Sequence, residues 1–372
     1  MKFTCDKNDF QNAVAITAKA AASKSTIPAL EGLLIETQND RLKITGYDLK
    51  KGIYTFIDSS VQEHGSIVLN ARLLGEMIRR MPDGTVEVIA DEKGKVDIFC
   101  GKSEYSFMSL EARDYPELPT IDESENLVFP QKLLKTMITQ TIFAVADNDS
   151  RPIYTGTLFD IDNDQINLVS VDGYRLALRQ EKLESSVSDG KTSFIVPGTA
   201  LTDVERNCGE EGDVKIFVGE KHISFEIGET VIISRRLEGE FLNYRNSIPT
   251  DFKVMVKVNK QDFLRSVDRV ALMIVNEQVK NPIRMKFKDS MINMSCVTPI
   301  GRAEDVCFFD GECEYLEIGF NDKYLMDAVK NAPSENIMIC LNSGSSPCIL
   351  KSGDDEGNYT YMILPVRLKA SV

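Results

Sequence analysis

The chain repeats one sequence pattern along its length, and this repetition limits the folds open to it more than any other feature. The segment Pro28–Glu36 recurs as Pro152–Asp160, with a proline, a glycine, a leucine and an acidic residue in register. A third, more diverged copy begins at Pro282 and lacks the glycine. Asp48 and Asp172 also keep the same place in the first two copies. We therefore expect three similar domains in series.

Each copy begins with a strand and an amphipathic helix, continues with several strands, and then passes from strand to helix a second time. In the helices, apolar residues recur at spacings of three and four, as at Leu134, Met137 and Ile138. The strands alternate polar and apolar residues, as in Val86–Ile89, and short turns with Gly, Asn or Asp join them. Because two helices per copy can bury one face of a strand-rich sheet, we predict an α+β fold. The predicted helices are 8–24, 70–80, 130–144, 197–208, 259–273 and 321–331.

Two proline-containing stretches, Asp114–Pro119 and Asn246–Thr250, interrupt these patterns, and each precedes a new opening strand. Such stretches are typical of boundaries between domains. We place the three domains at residues 1–122, 123–250 and 251–372.

Composition excludes several classes of protein. No apolar run approaches the ~18 residues that cross a bilayer, and the N-terminus lacks the apolar core of a signal peptide, so we expect a cytoplasmic protein. The eight cysteines form no C-x-x-C pair, which favours reduced, mostly buried thiols over disulfides. With two histidines and no tryptophan, the chain offers little for a zinc site or for histidine-based catalysis. We expect no metal, no cofactor and no catalytic residues.

Two short motifs resemble parts of an enzyme or metal site, but each is incomplete. Asp172 with Arg175 could orient a substrate, and Ser343–Ser346 could pass for a nucleophile loop. No histidine lies nearby, however, and no glycine-rich loop precedes a helix. Asp160–Asp164 imitates part of a calcium loop without its downstream glycine and glutamate, so we predict a hairpin turn there.

The net charge of −14 argues at first against a nucleic-acid partner. The charge is unevenly distributed, because the predicted helices together carry a small positive charge and the rest of the chain is correspondingly more acidic. Taken alone, this favours solvated helix faces on an acidic protein. In three domains arranged in series, however, helices presented to one side could meet an anion while the remaining surface repels it.

Four phrases then occur in the order and spacing of one family: Val171–Ala177, Phe241–Arg245, Ile318–Asn321 and Tyr361–Leu368. With these phrases, three αβ repeats and 372 residues, the chain closely resembles the bacterial sliding clamps, the beta subunits of DNA polymerase III. The resemblance implies three tandem clamp-type domains in a half ring, which closes head to tail with a second copy into a homodimer. Helices would line the hole, and the ring would encircle duplex DNA without reading its sequence. Such a protein is a processivity factor and not an enzyme.

A clamp must remain on DNA and still slide, so few and weak phosphate contacts suit it better than a strongly basic stripe. The resemblance places Lys24 in a loop that contacts DNA. Each basic residue of the helices could equally be a solvent-facing charge. The residues that we expect to give diffuse contact are Lys24, Arg72, Arg79, Arg80, Lys132, Lys135, Lys260, Arg265 and Arg269.

The resemblance also implies a pocket for short linear peptides of the replicative DNA polymerase, the clamp loader and repair proteins. Aliphatic and aromatic walls suit apolar anchors, while Arg175 and Arg367 can bond peptide carbonyls or a carboxylate. Val171, Leu176 and Leu364 also alternate as strand core would. The expected wall residues are Tyr154, Val171, Gly173, Tyr174, Arg175, Leu176, Leu242, Val279, Asn321, Tyr324, Ser346, Met362, Ile363, Leu364, Pro365, Val366, Arg367 and Leu368.

Several positions depart from the family pattern. Tyr174 stands where histidine is frequent, Leu242 where proline is frequent, and Asn246 replaces a basic residue. Residues 369–372 continue past the usual end of the chain and either cover part of the pocket or fray. These differences concern the peptide preference of the pocket and leave its existence untouched.

Closure of a ring requires sheet edges that pair between copies, because an open edge strand would otherwise aggregate. The candidate edge in the first domain is Lys102–Met108, with Tyr105 and Phe107 on one face. We expect Glu104 to pair with Arg302, and Lys102 to face Glu304 or Asp305. The resemblance places the end of a helix of the third domain and an acidic strand opposite this edge, so the expected interface residues are Lys102, Glu104, Tyr105, Phe107, Leu272, Met273, Ile274, Arg302 and Glu304.

One alternative remains open from the sequence, a repeat-built peptide-binding scaffold that does not act on DNA. The two hypotheses differ in how the protein would be retained on DNA. A ring loaded on circular DNA is retained by topology and lost from linear DNA, whereas ordinary affinity treats both forms alike.

Overall fold

The computed structural model describes residues 1–121, 127–147, 150–183, 190–274, 281–354 and 357–368. Val279, an expected pocket residue, and residues 369–372 lie outside this part of the chain. The helices are α1 (Lys7–Thr17), α2 (Ala71–Arg80), α3 (Gln131–Ile142), α4 (Gly198–Asn207), α5 (Tyr244–Ser247), α6 (Lys260–Ala271) and α7 (Asp322–Asn331).

The strands are short and numerous, and every pairing between them is antiparallel. In the first third they are β1 (Lys2–Asp6), β2 (Gly32–Gln38), β3 (Arg41–Tyr47), β4 (Lys51–Asp58), β5 (Ser60–Glu63), β6 (Ser66–Asn70), β7 (Thr85–Ala90), β8 (Lys95–Cys100) and β9 (Ser103–Met108). In the second third they are β10 (Leu127–Pro130), β11 (Gly156–Asp162), β12 (Gln165–Val171), β13 (Arg175–Lys182), β14 (Lys191–Pro197), β15 (Asp213–Val218), β16 (His222–Ile227) and β17 (Thr230–Arg235). In the last third they are β18 (Val254–Asn259), β19 (Ile283–Lys288), β20 (Met291–Thr298), β21 (Gly301–Phe308), β22 (Leu316–Phe320), β23 (Asn336–Leu341), β24 (Cys348–Ser352) and β25 (Tyr359–Ile363). Helices packed on antiparallel sheets confirm the predicted α+β class.

The six helix predictions were accurate except at one end, and the short helix α5 was not predicted. Five predicted helices agree with the observed bounds to within two residues, whereas 8–24 ends as an α-helix at Thr17. Beyond it, Ala18–Ala20 form a tighter turn, and the amide of Ala22 donates to the carbonyl of Leu30 at 2.8 Å. That bond ties the chain back to the next segment, and it overrides the helical preference of the alanine-rich sequence.

The chain divides into two compact units, residues 1–135 with 199–236 and residues 136–198 with 237–372. In the first unit, one sheet has the strand order β5-β1-β7-β8-β9 and the other has β10-β15-β16-β17-β4-β3-β2-β6. Helices α1 and α2 bury Phe10, Leu74 and Met77 against the strand residues Phe3 and Ile44. Asparagine at position 70 starts α2, because its side chain accepts from the amide of Leu73.

The second unit also has two sheets, with strand orders β14-β11-β12-β13-β25-β24-β23-β18 and β21-β20-β19-β22. Its core joins Phe263 and Val267 of α6 and Leu325 of α7 to Phe287 and Tyr361 of the strands. Asn321 caps α7 by accepting from the amide of Tyr324 at 3.0 Å.

The large sheet in each unit joins strands from two successive sequence repeats. In the first unit, β17 lies beside β4, with Thr230 opposite Thr55. In the second unit, β25 lies beside β13, with Tyr359 opposite Arg179. We call these pairings the first and second sheet joins.

The same tight turn recurs in all three repeats. Asn39, Asn163 and Asp289 follow the equivalent strands β2, β11 and β19, and their φ angles are 53°, 54° and 53°. Asn and Asp tolerate this left-handed conformation better than most residues. The turn at Asn163 confirms the hairpin that we predicted at Asp160–Asp164.

All eight cysteines are free thiols and most are buried, as predicted. None of the helices in the described part of the chain is long and apolar enough to cross a membrane.

Candidate functional site

A surface cavity of about 710 Å³ lies in the second unit, beside the turn between β12 and β13 and the start of α7. Six expected wall residues line it: Tyr154, Gly173, Tyr174, Arg175, Asn321 and Tyr324. The cavity is also lined by charged residues that sequence reasoning did not assign to it, namely Asp147, Arg151, Asp172, Asp322 and Lys323.

Arg175 is the buried centre of this cavity. Its Nε donates to Asp172 Oδ2 at 2.9 Å, and its Nη1 donates to Asp327 Oδ2 at 2.6 Å. The guanidinium carbon also lies 4.6 Å from the ring centre of Tyr324, within the range of a cation–π contact. With two carboxylates satisfying its charge, Arg175 holds α7 against β13 and fixes the ring that forms the cavity wall.

The turn before Arg175 projects an aromatic ring toward solvent. Asp172 Oδ1 accepts from the amides of Tyr174 at 2.8 Å and Arg175 at 3.0 Å. Gly173, at φ 93°, allows this turn without the steric cost of a side chain. Tyr174 remains 55% exposed and stacks on Tyr324, with ring centres 5.9 Å apart. Burial, followed by the nearby charge of Asp172, raises the pKa of Tyr324, so this ring stays neutral near pH 7.

An apolar cluster extends the site beyond the cavity. Val171, Leu176 and Met362 pack in it together with the partly buried Tyr154 and Leu242. Val171 and Leu176 are buried strand core, and neither is among the residues that line the cavity.

A buried carboxylate anchors one side of this cluster. Asp160 accepts from the hydroxyl of Tyr244 at 2.7 Å and pairs with Arg245 at 2.8 Å. Burial and the hydrogen bond to Asp160 raise the pKa of Tyr244. In the segment before Tyr244, the ring of Phe241 packs edge-on against Tyr154, with centres 5.6 Å apart. Sequence reasoning missed Asp160, because it stood in the motif that we interpreted as a hairpin turn.

The remaining expected wall residues lie around the C-terminal segment. The amide of Leu364 donates to the carbonyl of Tyr174 at 2.9 Å, and the amide of Val366 donates to Gly319 at 2.8 Å. Ile363 is fully buried in the main core of the unit, and Ser346 bonds the hydroxyl of Ser343. Pro365 is half-buried, whereas Arg367 and Leu368 line a separate cavity of about 230 Å³.

The expected DNA-contacting residues differ in their exposure and in the ion pairs that they form. Lys24, Arg72 and Arg265 are exposed. Arg79 and Arg80 both pair with Glu76 on the same helix, and Lys132 and Lys135 both pair with Glu210.

Two of the expected DNA-contacting residues donate hydrogen bonds to other elements of the second unit. Lys260 Nζ donates to the carbonyl of Ala332 at the end of α7, and burial lowers the pKa of this lysine. Arg269 donates to the carboxylate of Asp305 on β21, and this bond lowers the pKa of Asp305.

Eight of the described strands lie at sheet edges, and two of them, β9 and β21, carry the strand residues of the expected interface. In the first unit β9 pairs only with β8, and in the second unit β21 pairs only with β20. Along β9, Lys102 precedes the strand, Glu104 is exposed, and Tyr105 and Phe107 lie half-buried on the opposite face. Along β21, Arg302 and Glu304 are exposed and pair with each other. Leu272 is 70% exposed beyond the end of α6, followed by the half-buried Met273 and Ile274.

In the described part of the chain, His, Cys, Asp and Glu nowhere form a group of three or more that could hold a metal ion.

Comparison with known proteins gives one family over the whole chain. Models of the DNA polymerase III beta subunit match its N-terminal domain at residues 1–119, its central domain at 128–243 and its C-terminal domain at 245–367. The beta sliding clamp of Bacillus subtilis (strain 168) is 32% identical over 379 residues, covering 99% of this chain and all of the relative. That of Halalkalibacterium halodurans is 31% identical, also over 99% of this chain and all of the relative.

Solved structures give the same result. The DNA polymerase sliding clamp from Bacillus subtilis has a TM-score of 0.93 at 32% identity. A sliding clamp from Pseudomonas aeruginosa bound to griselimycin has a TM-score of 0.92 at 25% identity. Each alignment covers 99% of this chain and 100% of the compared chain.

Proposed function

The chain belongs to the DNA polymerase III beta subunit family, and from this premise we propose that two copies close head to tail into a ring that encircles duplex DNA. The chain is a DNA sliding clamp, a processivity factor without catalytic activity. Family membership favours this function over the scaffold that never acts on DNA.

One observation carries the proposal of a closed ring. Each sheet join places the fourth strand of one repeat beside the last strand of the next, β4 with β17 and β13 with β25. Among the described strands, this rule leaves the last strand of the first repeat, β9, and the equivalent fourth strand of the last repeat, β21, with one open side each. By this rule β9 takes a fourth strand as its neighbour and β21 takes a last strand. Each edge can therefore pair with the other edge of a second copy.

The domain limits proposed for this ring are 1–122, 123–250 and 251–372. Sharing of sheets across these limits explains why the chain contacts form two units while the sequence repeats three times. Each limit falls between described strands, and the pairings of β4 with β17 and of β13 with β25 cross from one domain to the next.

We propose that closure of the ring retains the protein on DNA and that its phosphate contacts are weak and diffuse. Lys24, Arg72 and Arg265 are the exposed candidates for these contacts. The pairs made by Arg79, Arg80, Lys132 and Lys135 with glutamates moderate the local positive charge, which suits a ring that must slide.

The cavity beside Arg175 is the proposed binding site for partner peptides from the replicative polymerase, the clamp loader and repair proteins. The cavity combines aromatic rings with fixed polar and charged groups, which suits both the apolar anchors and the polar backbone of a peptide. The Pseudomonas aeruginosa relative binds griselimycin, which makes this compound a suitable probe of the site here. We place this activity in the cytoplasm.

Native mass in solution tests the ring. We expect a particle of about twice the chain mass of 41.6 kDa, measured by light scattering at micromolar concentration. A stable monomer that persists as the concentration is raised contradicts the proposal.

A further inference from the structure

A second cavity, of about 590 Å³, lies in the first unit on the outer face of its large sheet, the face turned away from α1 and α2. A row of paired strand residues forms its floor: Leu34 pairs with Thr45, Thr45 with Tyr54, and Tyr54 with Val231. Residues 112–121, which we call the first linker, form one wall. The volume is within the range of ligand pockets. Among the described residues that line it, none was expected to contact DNA, a partner peptide or a second copy.

The first linker is held on this face at two points. The hydroxyl of Tyr115 donates to the carbonyl of Thr45 at 3.2 Å, and burial raises the pKa of Tyr115, so the hydroxyl stays a donor. A side chain at Gly52 would meet Leu118, since a Cβ built there lies 2.4 Å from Leu118 Cδ2. The outer face therefore already carries one non-helical, proline-containing segment of the chain itself. The cavity is the part of the face beside this segment that remains open.

Thr45 brings an unpartnered polar group to the floor of the cavity. It is 2% exposed, and its Oγ1 has no hydrogen-bond partner among the described residues. In the second unit, Val169 lies as far beyond the turn at Asn163 as Thr45 lies beyond the turn at Asn39, and it packs in an apolar cluster with Ile248. Threonine and valine have almost the same shape, so the first unit differs by one hydroxyl. A buried hydroxyl without a partner costs free energy, which indicates a use for it.

Lys43 adds a positive charge to the same wall. It lies two residues before Thr45 on β3, so both side chains are on the outer face, and both line the cavity. Its Nζ lies 4.5 Å from the ring centre of Tyr54, and it forms no ion pair with a described residue. Arg41, on the same face of the same strand, is paired with Asp58 and Glu229. The ammonium group of Lys43 is therefore free to meet a carboxylate.

We propose that this cavity is a second peptide-binding site, separate from the cavity beside Arg175, and that it takes a short partner segment with one apolar and one acidic side chain. The apolar side chain lies on Leu34 and Tyr54, a backbone group of the peptide bonds the hydroxyl of Thr45, and the carboxylate reaches Lys43. Two glutamates, Glu117 and Glu226, also line the cavity, so a segment with a single acidic group fits better than a strongly acidic one. The proposal depends neither on the closed ring nor on the cavity beside Arg175.

A titration followed by methyl NMR tests the site in the full chain. The probe is acetyl-Leu-Phe-Asp-amide, and acetyl-Leu-Phe-Asn-amide is its uncharged control. We expect the methyl signals of Leu34, Thr45 and Val231 to shift and to saturate at millimolar probe. An excess of griselimycin should not reverse these shifts, because the site proposed for that compound lies in the second unit. Lys43→Gln should weaken binding of the acidic probe about three- to tenfold and leave the control within about twofold.

Thr45→Val separates a role in binding from a role in the fold. Removal of the unpartnered hydroxyl should raise the thermal unfolding midpoint by about 1–3 °C and weaken both probes about five- to tenfold. Thr55→Val is the matched control, because Thr55 lies on the neighbouring strand and its hydroxyl bonds that of Thr230 at 2.9 Å. That variant should lower the midpoint and leave probe affinity within about twofold.

Three results would overturn the inference. Absence of a saturable shift at Leu34, Thr45 and Val231 would show that the cavity holds water only. Shifts at Leu176 and Met362 that griselimycin reverses would place the probe in the second unit and leave the proposed function intact. A midpoint lowered by Thr45→Val as much as by Thr55→Val would show that the hydroxyl serves the fold. Failure of griselimycin to bind, with the shifts at Thr45 present, counts instead against the proposed peptide site beside Arg175.

Discussion

At the scale of single residues, the walls of the proposed peptide cavity are held in place by carboxylates. Asp160 is 4% exposed and holds Tyr244 and Arg245, so that the segment carrying Phe241 and Leu242 stays against the sheet. Asp172 and Asp327 do the same for Arg175. The positions of the aromatic wall residues are therefore set by hydrogen bonds and ion pairs.

We expect Asp160→Asn to lower the free energy of unfolding by about 1–3 kcal/mol, because a charged acceptor of two donors is replaced by a neutral amide. Chemical denaturation measures this change, and griselimycin affinity should fall in the same variant. Asp162→Asn is the matched control, since Asp162 lies on the same strand and is exposed. Equal destabilisation by the two variants would contradict an anchoring role for Asp160.

The cysteines allow a second prediction at this scale. Burial is the main cause that raises the thiol pKa values, to about 12 for Cys5 and about 11 for Cys208 and Cys307. At pH 8 these thiols are almost entirely protonated and react slowly, because the thiolate is the nucleophile. Cys313 is only partly buried, so we expect it to be alkylated first.

Mass spectrometry after timed alkylation at pH 8 measures the order of reaction. Cys313→Ser should remove the fast phase and leave the slow one unchanged. Rapid modification of Cys5 or Cys208 in the folded chain would show that these sites open more readily than their burial implies.

At the scale of helices and strands, sequence predicted most of the elements and little of their pairing. Periodicity placed the helices, the repeated Pro and Gly positions aligned the first two copies, and the third copy keeps only the Pro. Alternation within a strand such as Val86–Ile89 identifies a buried face, but it carries no information about which neighbour the strand takes. The sharing of sheets between repeats, and hence the partners of β4 and β13, therefore became visible only in the structure.

The same limit applies to the charged residues. A lysine at the start of a helix has the same sequence signature whether it is solvated or bonded. Arg72 on α2 is exposed, whereas Lys260 on α6 reaches the carbonyl of Ala332. Asp327 could have been found from the sequence, because it occupies the place of Asp203 in the preceding repeat.

We expect Arg72→Ala to reduce the slope of log affinity for duplex DNA against log salt by about 1, as one phosphate contact is lost. Lys260→Ala should leave that slope unchanged and lower the thermal unfolding midpoint, because it removes a bond within its unit. Fluorescence anisotropy with a short duplex over a range of salt concentrations measures the slopes. A loss of slope with Lys260→Ala as large as with Arg72→Ala would place both residues on DNA.

At the scale of the whole molecule, a net charge of −14 and a DNA-binding function are compatible only if affinity is not what retains the protein on DNA. Weak phosphate contact allows sliding, and the acidic remainder discourages binding outside the ring. Retention then depends on closure, which in turn depends on the two open edges β9 and β21. We therefore expect topology, and not affinity, to retain the protein on DNA.

Retention on DNA of defined topology tests this claim most directly. The protein is loaded onto circular duplex DNA with a clamp loader and separated from free protein by gel filtration, and half of the sample is then linearised with a restriction enzyme. The account predicts that the protein stays with the circles and is lost from the linear molecules within the time of the experiment. Equal retention on both forms, or equal loss from both, would contradict it.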